Sequence, residues 1–316
     1  MKKKKDKNQL ISLVIPVYNE EKALPLLFKS LVNIRKTLPE QVEIVFIDDG
    51  STDQTANLIK KSKLSFKIKL IQLSRNFGHQ AALLAGLRNA KGNYIVSLDG
   101  DLQHPPELIS KMLKLHQQGY EVVLTKRIDG QITNFSKKIT AQLFYKFINL
   151  LSDTTIEANS SDFRSLSRKA LEALLALPEN RKFLRGMVQW IGFETVIIPF
   201  QVKQRVAGKS KYNLYKMLRL AIHGLASFSA RPLFLAGFFS IFLFLMAIFY
   251  AFYVIYVRFY GSGIVEGWAS VLFVTLVIGG FLSLFVGLLG VYIAAIYDEV
   301  KNRPEYIIEK IHAKQK

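Results

Sequence analysis

The chain has 316 residues, room for two domains or for one large domain with an appendage. Half of its residues are hydrophobic and 21% are charged, which excludes a disordered chain; the lack of cysteine excludes disulfides, thiolate metal sites and cysteine nucleophiles. With 43 Lys and Arg against 24 Asp and Glu the formal charge is +19, a surplus that asks for an anionic partner: nucleic acid, anionic lipid headgroups or phosphorylated small molecules.

Strand and helix patterns alternate along the first half. Ile11–Val17 is a short apolar run ended by Pro16 and Asn19, with a helical pattern from Glu20 to Arg35. Val42–Ile47 is a second strand, ended by Asp48-Asp49-Gly50-Ser51, with a helix from about Asp53 to Lys63. Ile68–Leu73 is a third, followed by a helix from about Gly78 to Ala90, and Tyr94–Leu98 is a fourth, ended by Asp99-Gly100-Asp101, with a helix from about Pro106 to Gln118. Tyr120–Thr125 reads as a fifth. Continuous apolar strands alternating with helices predict an α/β fold with a mostly parallel sheet covered on both faces. Ligands of such sheets sit beyond the strand C-terminal ends, where Tyr18-Asn19-Glu20, Asp48-Asp49, Ser74-Arg75-Asn76 and Asp99-Gly100-Asp101 all fall.

No glycine-rich dinucleotide fingerprint and no Walker loop occurs, so phosphate is expected on a metal ion and on Arg or Lys side chains. Asp99 and Asp101 flank Gly100 after a buried strand, a spacing that lets two carboxylates hold a hard divalent ion, to which Gln103 can add an oxygen. A solvated turn is the bland reading of Asp-x-Asp; its place after the fourth strand favours the ion. His104 is either a base or metal neighbour or a helix-entry residue before Pro105-Pro106, and the second reading is preferred. His79, after the third strand, is expected to shape the ligand pocket at the strand ends. Asp53 is either a ligand-binding carboxylate or an N-cap, and the N-cap is preferred.

The apolar residues concentrate near the C-terminal end. Pro232 to Val257 is 26 residues without a charge and Trp268 to Tyr297 is 30 more, and about 20 suffice to span a bilayer core. Lys203, Arg205, Lys209, Lys211, Lys216, Arg219 and Arg231 precede the first run; Lys301, Arg303, Lys310, Lys314 and Lys316 follow the second. The positive-inside rule then places both ends of the hairpin in the cytoplasm, at the inner membrane. After Lys2–Lys5 the apolar stretch is short and turns at Pro16, which reads as no signal peptide, so residues 1–231 are expected in the cytoplasm. Leu214, Met217, Leu218, Ala221, Leu225 and Phe228 recur at helical spacing and fit an interfacial helix over 213–231, or a helix packed on the cytoplasmic domain. The expected organisation is a catalytic domain over 1–212, the interfacial helix, two transmembrane helices within 232–297 and a basic tail over 298–316. Ser283, Gly287, Gly290 and Ala294 are spaced to pair the two spans or to join subunits in a homo-oligomer; both stay open.

Three motifs carry a resemblance. Val14-Ile15-Pro16-Val17-Tyr18-Asn19-Glu20, Ile47-Asp48-Asp49-Gly50-Ser51-Thr52-Asp53 and Leu98-Asp99-Gly100-Asp101-Leu102-Gln103-His104-Pro105-Pro106-Glu107 resemble family 2 glycosyltransferases of the GT-A fold. Ser161-Asp162-Phe163-Arg164 and Arg205-Val206-Ala207-Gly208-Lys209-Ser210-Lys211-Tyr212 are similar to the polyprenyl-phosphate branch, and the two-span hairpin to its bacterial undecaprenyl-phosphate glucosyltransferases. Gln189-Trp190 lacks the Gln-x-x-Arg-Trp of processive synthases. The resemblance implies that Pro16, Tyr18, Glu20, Asp48, Asp49 and Asp99 bind the nucleotide sugar, and that Asp99, Asp101 and Gln103 hold Mg²⁺ or Mn²⁺ on its diphosphate. Asp101 and Asp162 are the implied catalytic carboxylates, with Asp162 either a base or a group that orients Arg164 or a sugar hydroxyl; Glu157 and Asp153 are its substitutes. Arg127, Arg205 and Lys211 are the candidates for phosphate, while Lys137 and Lys138 suit general attraction to anionic lipid. The implied reaction is metal-dependent, inverting transfer of one sugar to a polyprenyl phosphate, with UDP-glucose and undecaprenyl phosphate foremost. Rival donors are GDP-mannose, UDP-N-acetylhexosamine and an aminoarabinose nucleotide. From other classes stand a non-catalytic lipid-binding or translocating protein and, third, a nucleic-acid binder; much of the basic surplus flanks the spans, which argues for membrane and against nucleic acid.

Overall fold

The computed structural model describes residues 9–39, 41–128, 160–179, 184–201, 231–260 and 267–314. In chain order these form β1 (Ile11–Val17), α1 (Leu24–Ile34), β2 (Val42–Asp48), α2 (Thr55–Lys61), β3 (Lys67–Leu73), α3 (His79–Asn89), β4 (Tyr94–Ser97), α4 (Leu108–Gln117), β5 (Val122–Ile128), β6 (Ser160–Ser167), α5 (Arg168–Ala176), α6 (Leu184–Trp190), β7 (Thr195–Gln201), α7 (Arg231–Tyr260), α8 (Trp268–Val300) and β8 (Ile308–Lys314). All eight strands and the first six helices belong to one unit, and α7 with α8 to a second.

The strands make one sheet in the order β7-β5-β6-β4-β1-β2-β3-β8. Pairings β1–β2, β1–β4, β2–β3 and β5–β7 are parallel, whereas β6 runs antiparallel to both β4 and β5, and β8 antiparallel to β3. The sheet is therefore mostly parallel and mixed, the α/β class expected from the alternating pattern. Every residue of β1 is buried, as a central strand covered on both faces requires. Leu24, Leu27, Leu31 and Ile34 of α1 recur at helical spacing and pack into the same core as Leu13, Ile15, Phe46 and Leu70. The first helix starts at Leu24, not Glu20: the Glu20 carbonyl accepts from Ala23 and Leu24, closing a turn just before Pro25 opens the helix.

Part of the segment expected as a basic tail, 298–316, is regular structure. Ile308–Lys314 is a strand, added to the β3 edge, with Leu70 paired to His312 and Ile71 to Ile311. Six of its seven residues are exposed, and its charged composition, IEKIHAK, is that of an edge strand; such a strand lacks the apolar alternation that marks inner ones. Arg88 reaches across to Glu305 at 3.1 Å, the Ile307 carbonyl accepts from Ser74, and Lys314 Nζ donates to the Ser62 carbonyl.

In the second unit, α7 and α8 meet through Phe239, whose ring lies 4.7 Å from Phe281 and 6.1 Å from Phe285. The segments Ala236–Tyr253 and Val274–Val300 are long and apolar enough to cross a membrane, and neither is buried within the protein. A Cβ at Gly287 or Gly290 would meet nothing within 4 Å, so aromatic packing, not these glycines, joins the two helices. The interfacial helix expected over 213–231 lies outside the described residues, apart from Arg231 at the start of α7.

Candidate active site

Four loops converge at the C-terminal ends of the parallel strands. Asp48 and Asp49 close β2 and are buried. Asp48 Oδ1 accepts from the Ser51 N–H at 3.0 Å, and Oδ2 from Gln72 Nε2 at 3.3 Å. Asp49 accepts from the N–H groups of Phe77 at 2.8 Å and Gly78 at 3.0 Å, one on each oxygen, and so shapes the loop that enters α3. Burial raises its pKa above the usual carboxylate value although those two bonds oppose the shift. Gly78 sits at φ +97°, a conformation that only glycine adopts without strain, and it delivers His79 and Gln80 to the site.

The loops after β1 and β2 are stitched together. Asn19 donates its N–H to Ser51 Oγ at 2.9 Å and accepts from Thr52, Glu20 donates its N–H to Thr55 Oγ1 at 2.8 Å, and Glu21 its N–H to Asp53 Oδ2 at 3.2 Å. Asp53 Oδ1 also accepts from Thr55 N at 2.9 Å in a turn just ahead of α2, but the N-cap position itself is Gln54, so the N-cap preferred above for Asp53 is displaced by one residue. Pro16 is buried within β1, and Tyr18 beyond it is 45% exposed, an aromatic face open to a ligand.

After β4, Asp101 Oδ1 accepts from the Gln103 N–H at 3.1 Å, and the intervening Leu102 holds φ +64° while packing against the core. A branched residue in that region is strained, a condition that needs support from its surroundings. His104 supplies it. Its Nδ1 accepts from the Asp99 N–H at 3.1 Å, so the neutral ring carries its proton on Nε2, 2.8 Å from Ser161 Oγ. The ring stacks on Phe163 at 5.1 Å, and burial, followed by the charge of Arg127, lowers its pKa to about 4. His104 is thus a neutral pillar under the Asp99–Gln103 loop, four residues ahead of α4 and tied to Asp99 and Ser161 instead of to the helix start.

The antiparallel direction of β6 completes the site. Because Ser97 of β4 pairs with Arg164, the start of β6 lies beside the end of β4 and brings Asp162 next to Asp99. Strand alternation sorts the motif: Ser161, Phe163 and Ser165 face the buried His104 and His116, while Asp162 and Arg164 face the site. Asp162 is 4% exposed and held by four cationic or amide groups. Arg164 Nη2 lies at 2.6 Å, Arg185 binds in bidentate fashion at 3.1 and 2.7 Å, Gln80 Nε2 donates at 3.3 Å, and His79 Nε2 stands at 3.5 Å. Burial alone would raise its pKa, but His79, Arg164 and Arg185 together hold the carboxyl well below the usual carboxylate range. His79 Nε2 is also 3.4 Å from Asp99 Oδ1, and the two acids hold its pKa above the ordinary histidine value against the opposing effect of partial desolvation, its side chain remaining 41% exposed. Burial raises Asp99.

Arg185 escaped the sequence reading because no motif surrounds it. It is placed by Arg164, whose Nη1 donates to the Leu184 carbonyl at 3.0 Å and so brings α6 up against Asp162. Arg127, at the end of β5, is near enough for its charge to act on Asp99 and His104. Gln103 is buried on the Asp101 loop. Arg205, Lys211, Lys137, Lys138, Asp153 and Glu157 lie outside the described residues.

Relatives extend along nearly the whole chain. The SfII prophage-derived bactoprenol glucosyl transferase of Shigella flexneri is 40% identical over 303 residues, 96% of this chain and 98% of its own. The uncharacterized glycosyltransferase YkcC of Bacillus subtilis is 38% identical over 300 residues, covering 95% and 93%. Among solved structures, S. aureus TarS 1–349 in complex with UDP-GlcNAc superposes with a TM-score of 0.47 at 20% identity over 68% of this chain and 66% of that one. Residues 12–175, from β1 nearly to the end of α5, match glycosyl transferase family 2, and on this match and those relatives the chain belongs to that family and is a glycosyltransferase.

Proposed function

We propose that the protein transfers glucose from UDP-glucose to a polyprenyl phosphate, undecaprenyl phosphate foremost, with inversion at the anomeric carbon and at the cytoplasmic face of the membrane. The observation that carries the reading is the 40% identity over almost the full length, α7 and α8 included, to a bactoprenol glucosyl transferase. The sheet supports the topology: β8 follows α8 in the chain yet pairs with β3, so the chain before α7 and after α8 belongs to one folded unit. Two crossings return the chain to the side it left, as that arrangement needs. The expected domains over 1–212 and 232–297 stand in this reading, with β8 now assigned to the catalytic unit.

Pro16, Tyr18, Glu20 and Asp48 would frame the nucleoside, and Asp49 would serve it by shaping the Phe77–Gly78 loop. Among the described residues no three His, Asp or Glu side chains gather at metal distances, but Mg²⁺ is commonly held by one or two carboxylates plus substrate phosphates. Asp99 and Asp101, with Gln103 on the same loop, fit that lesser demand. Those residues would hold a divalent ion, which would supply positive charge to offset that of the departing nucleoside diphosphate. Arg127, Arg205 and Lys211 would hold phosphate. The acceptor's second pKa lies near 6, so it is largely dianionic at pH 7 and needs little proton removal. Asp162, held far below the usual carboxylate range, is a weak base, and its contacts suit orientation of Arg164, Arg185 and Gln80 instead.

Radiolabelled nucleotide sugars presented to proteoliposomes with undecaprenyl phosphate test the reading. Label from UDP-glucose should enter the lipid fraction as an acid-labile β-linked phosphodiester and cease with EDTA. Transfer from GDP-mannose or UDP-N-acetylglucosamine, but not from UDP-glucose, would overturn the donor.

A further inference from the structure

We infer that Gln80 reads one hydroxyl of the donor sugar through its side-chain carbonyl. The inference deepens the function proposed above and rests on it for the choice of UDP-glucose as probe. Gln80 opens α3 directly after His79, and its Nε2 donates to Asp162 Oδ2 at 3.3 Å. That bond sets the amide orientation, since the reverse rotamer would put two oxygens face to face. Gln80 Oε1 is then directed away from the carboxylate, and it is buried without a hydrogen-bond partner among the described residues. A buried carbonyl left unpaired is costly enough that native proteins seldom keep one without a use.

The chemistry of the substrates narrows what can pair with it. An amide oxygen accepts and cannot donate, so its partner must bring an O–H or N–H. The diphosphate has none, and the lipid phosphate at neutral pH is largely dianionic. The sugar brings several hydroxyls, and Gln80 belongs to the cluster of Asp162, His79 and Asp99 at which the anomeric centre would react. The nucleoside also has donors, but the reading above places it at the β1 and β2 loops. Asp162 therefore acts at one remove: its charge, secured by Arg164 and Arg185, locks the acceptor that recognises the sugar.

The test is a cycle of two enzymes and five donors on the full chain in proteoliposomes. Wild type and Gln80→Leu are assayed with UDP-glucose and with its 2-, 3-, 4- and 6-deoxy analogues. For wild type, one analogue should lose about tenfold in kcat/KM, the scale of one neutral hydrogen bond. With Gln80→Leu the same analogue should match UDP-glucose, and the inhibition constant of UDP should be unchanged. Comparing ratios cancels any intrinsic change in reactivity of the deoxy sugars. A purely structural Gln80, or one satisfied by a trapped water, gives equal ratios in both enzymes for all four analogues and overturns the inference. A UDP inhibition constant that rises as much as kcat/KM falls would assign Gln80 to the nucleoside and overturn it too. Should Gln80→Leu not fold, wild-type rates that discriminate against none of the four analogues suffice to refute it, and Gln80→Asn, which retracts the carbonyl, provides the second variant. Absence of any wild-type turnover of UDP-glucose is a separate result that would remove the donor reading and this inference with it.

Discussion

Replacing Asp162 by asparagine removes one negative charge from a cluster that holds two guanidinium groups. Arg164 is 3% exposed and makes its 2.6 Å contact with Asp162 where water cannot reach. Removing one member of a buried ion pair typically costs about 3–5 kcal/mol, because the other charge stays buried without compensation. Arg185 is 35% exposed on its side chain and is screened, so its share is left out. Arg164 also retains the Leu184 carbonyl, which favours the lower end, about 3 kcal/mol or roughly 6–12 °C in Tm. Activity should fall by about 100-fold, the scale of misplacing reacting groups by an ångström. The pH dependence separates the two roles left open for Asp162. A carboxyl depressed on folding contributes its stability in full above its unfolded pKa and loses it only as pH falls through the folded value. From pH 6.5 to 8.5 Asp162 is therefore anionic throughout, and the loss in Asp162→Asn should be nearly constant over that range. Activity that recovers as pH rises would make Asp162 a base, and a Tm within 2 °C of wild type would refute the buried-pair argument.

Asp101→Ala should abolish transfer in excess Mg²⁺ or Mn²⁺ while shifting Tm by little, since the side chain is only partly buried; near-normal turnover would end its assignment to the metal. His104 and His116 are both held neutral by burial, so each contributes stability above its unfolded pKa near 6.5 that is lost as pH falls. For His104, a folded value of about 4 makes that loss roughly 3 kcal/mol in the limit, and melting curves from pH 7 to 4.5 should be flatter for His104→Gln than for wild type. Ending the chain at residue 230 strips β8 from the edge and leaves β3 open to pairing with other chains, so that fragment should aggregate. A version in which a flexible linker replaces 231–302 and keeps Arg303–Lys316 should stay monomeric by light scattering; equal solubility of the two would show that β8 is dispensable.

The sequence by itself determined the parallel half of the sheet, because strands buried on both faces must be continuously apolar and their loops must carry the polar groups. It likewise determined α7 and α8, where charge is absent for whole helices. Asp48, Asp49, Asp99 and Asp101 were legible for the same reason: each ends an apolar run. β6 and β8 were not. SSDFRSLS divides its polar residues between the buried histidines and the site, so no face of it looks apolar, and IEKIHAK is an exposed edge strand. Tertiary structure alone decided that β6 runs backwards, which sets Asp162 beside Asp99 across more than sixty residues of chain. It alone placed Arg185 on Asp162, through a guanidinium-to-carbonyl bond that leaves no periodicity behind. Local pattern reports whether a residue is buried; which charges share the burial is decided by strand order and direction, and in this protein that choice surrounds the motif carboxylate Asp162 with the guanidinium groups of Arg164 and Arg185.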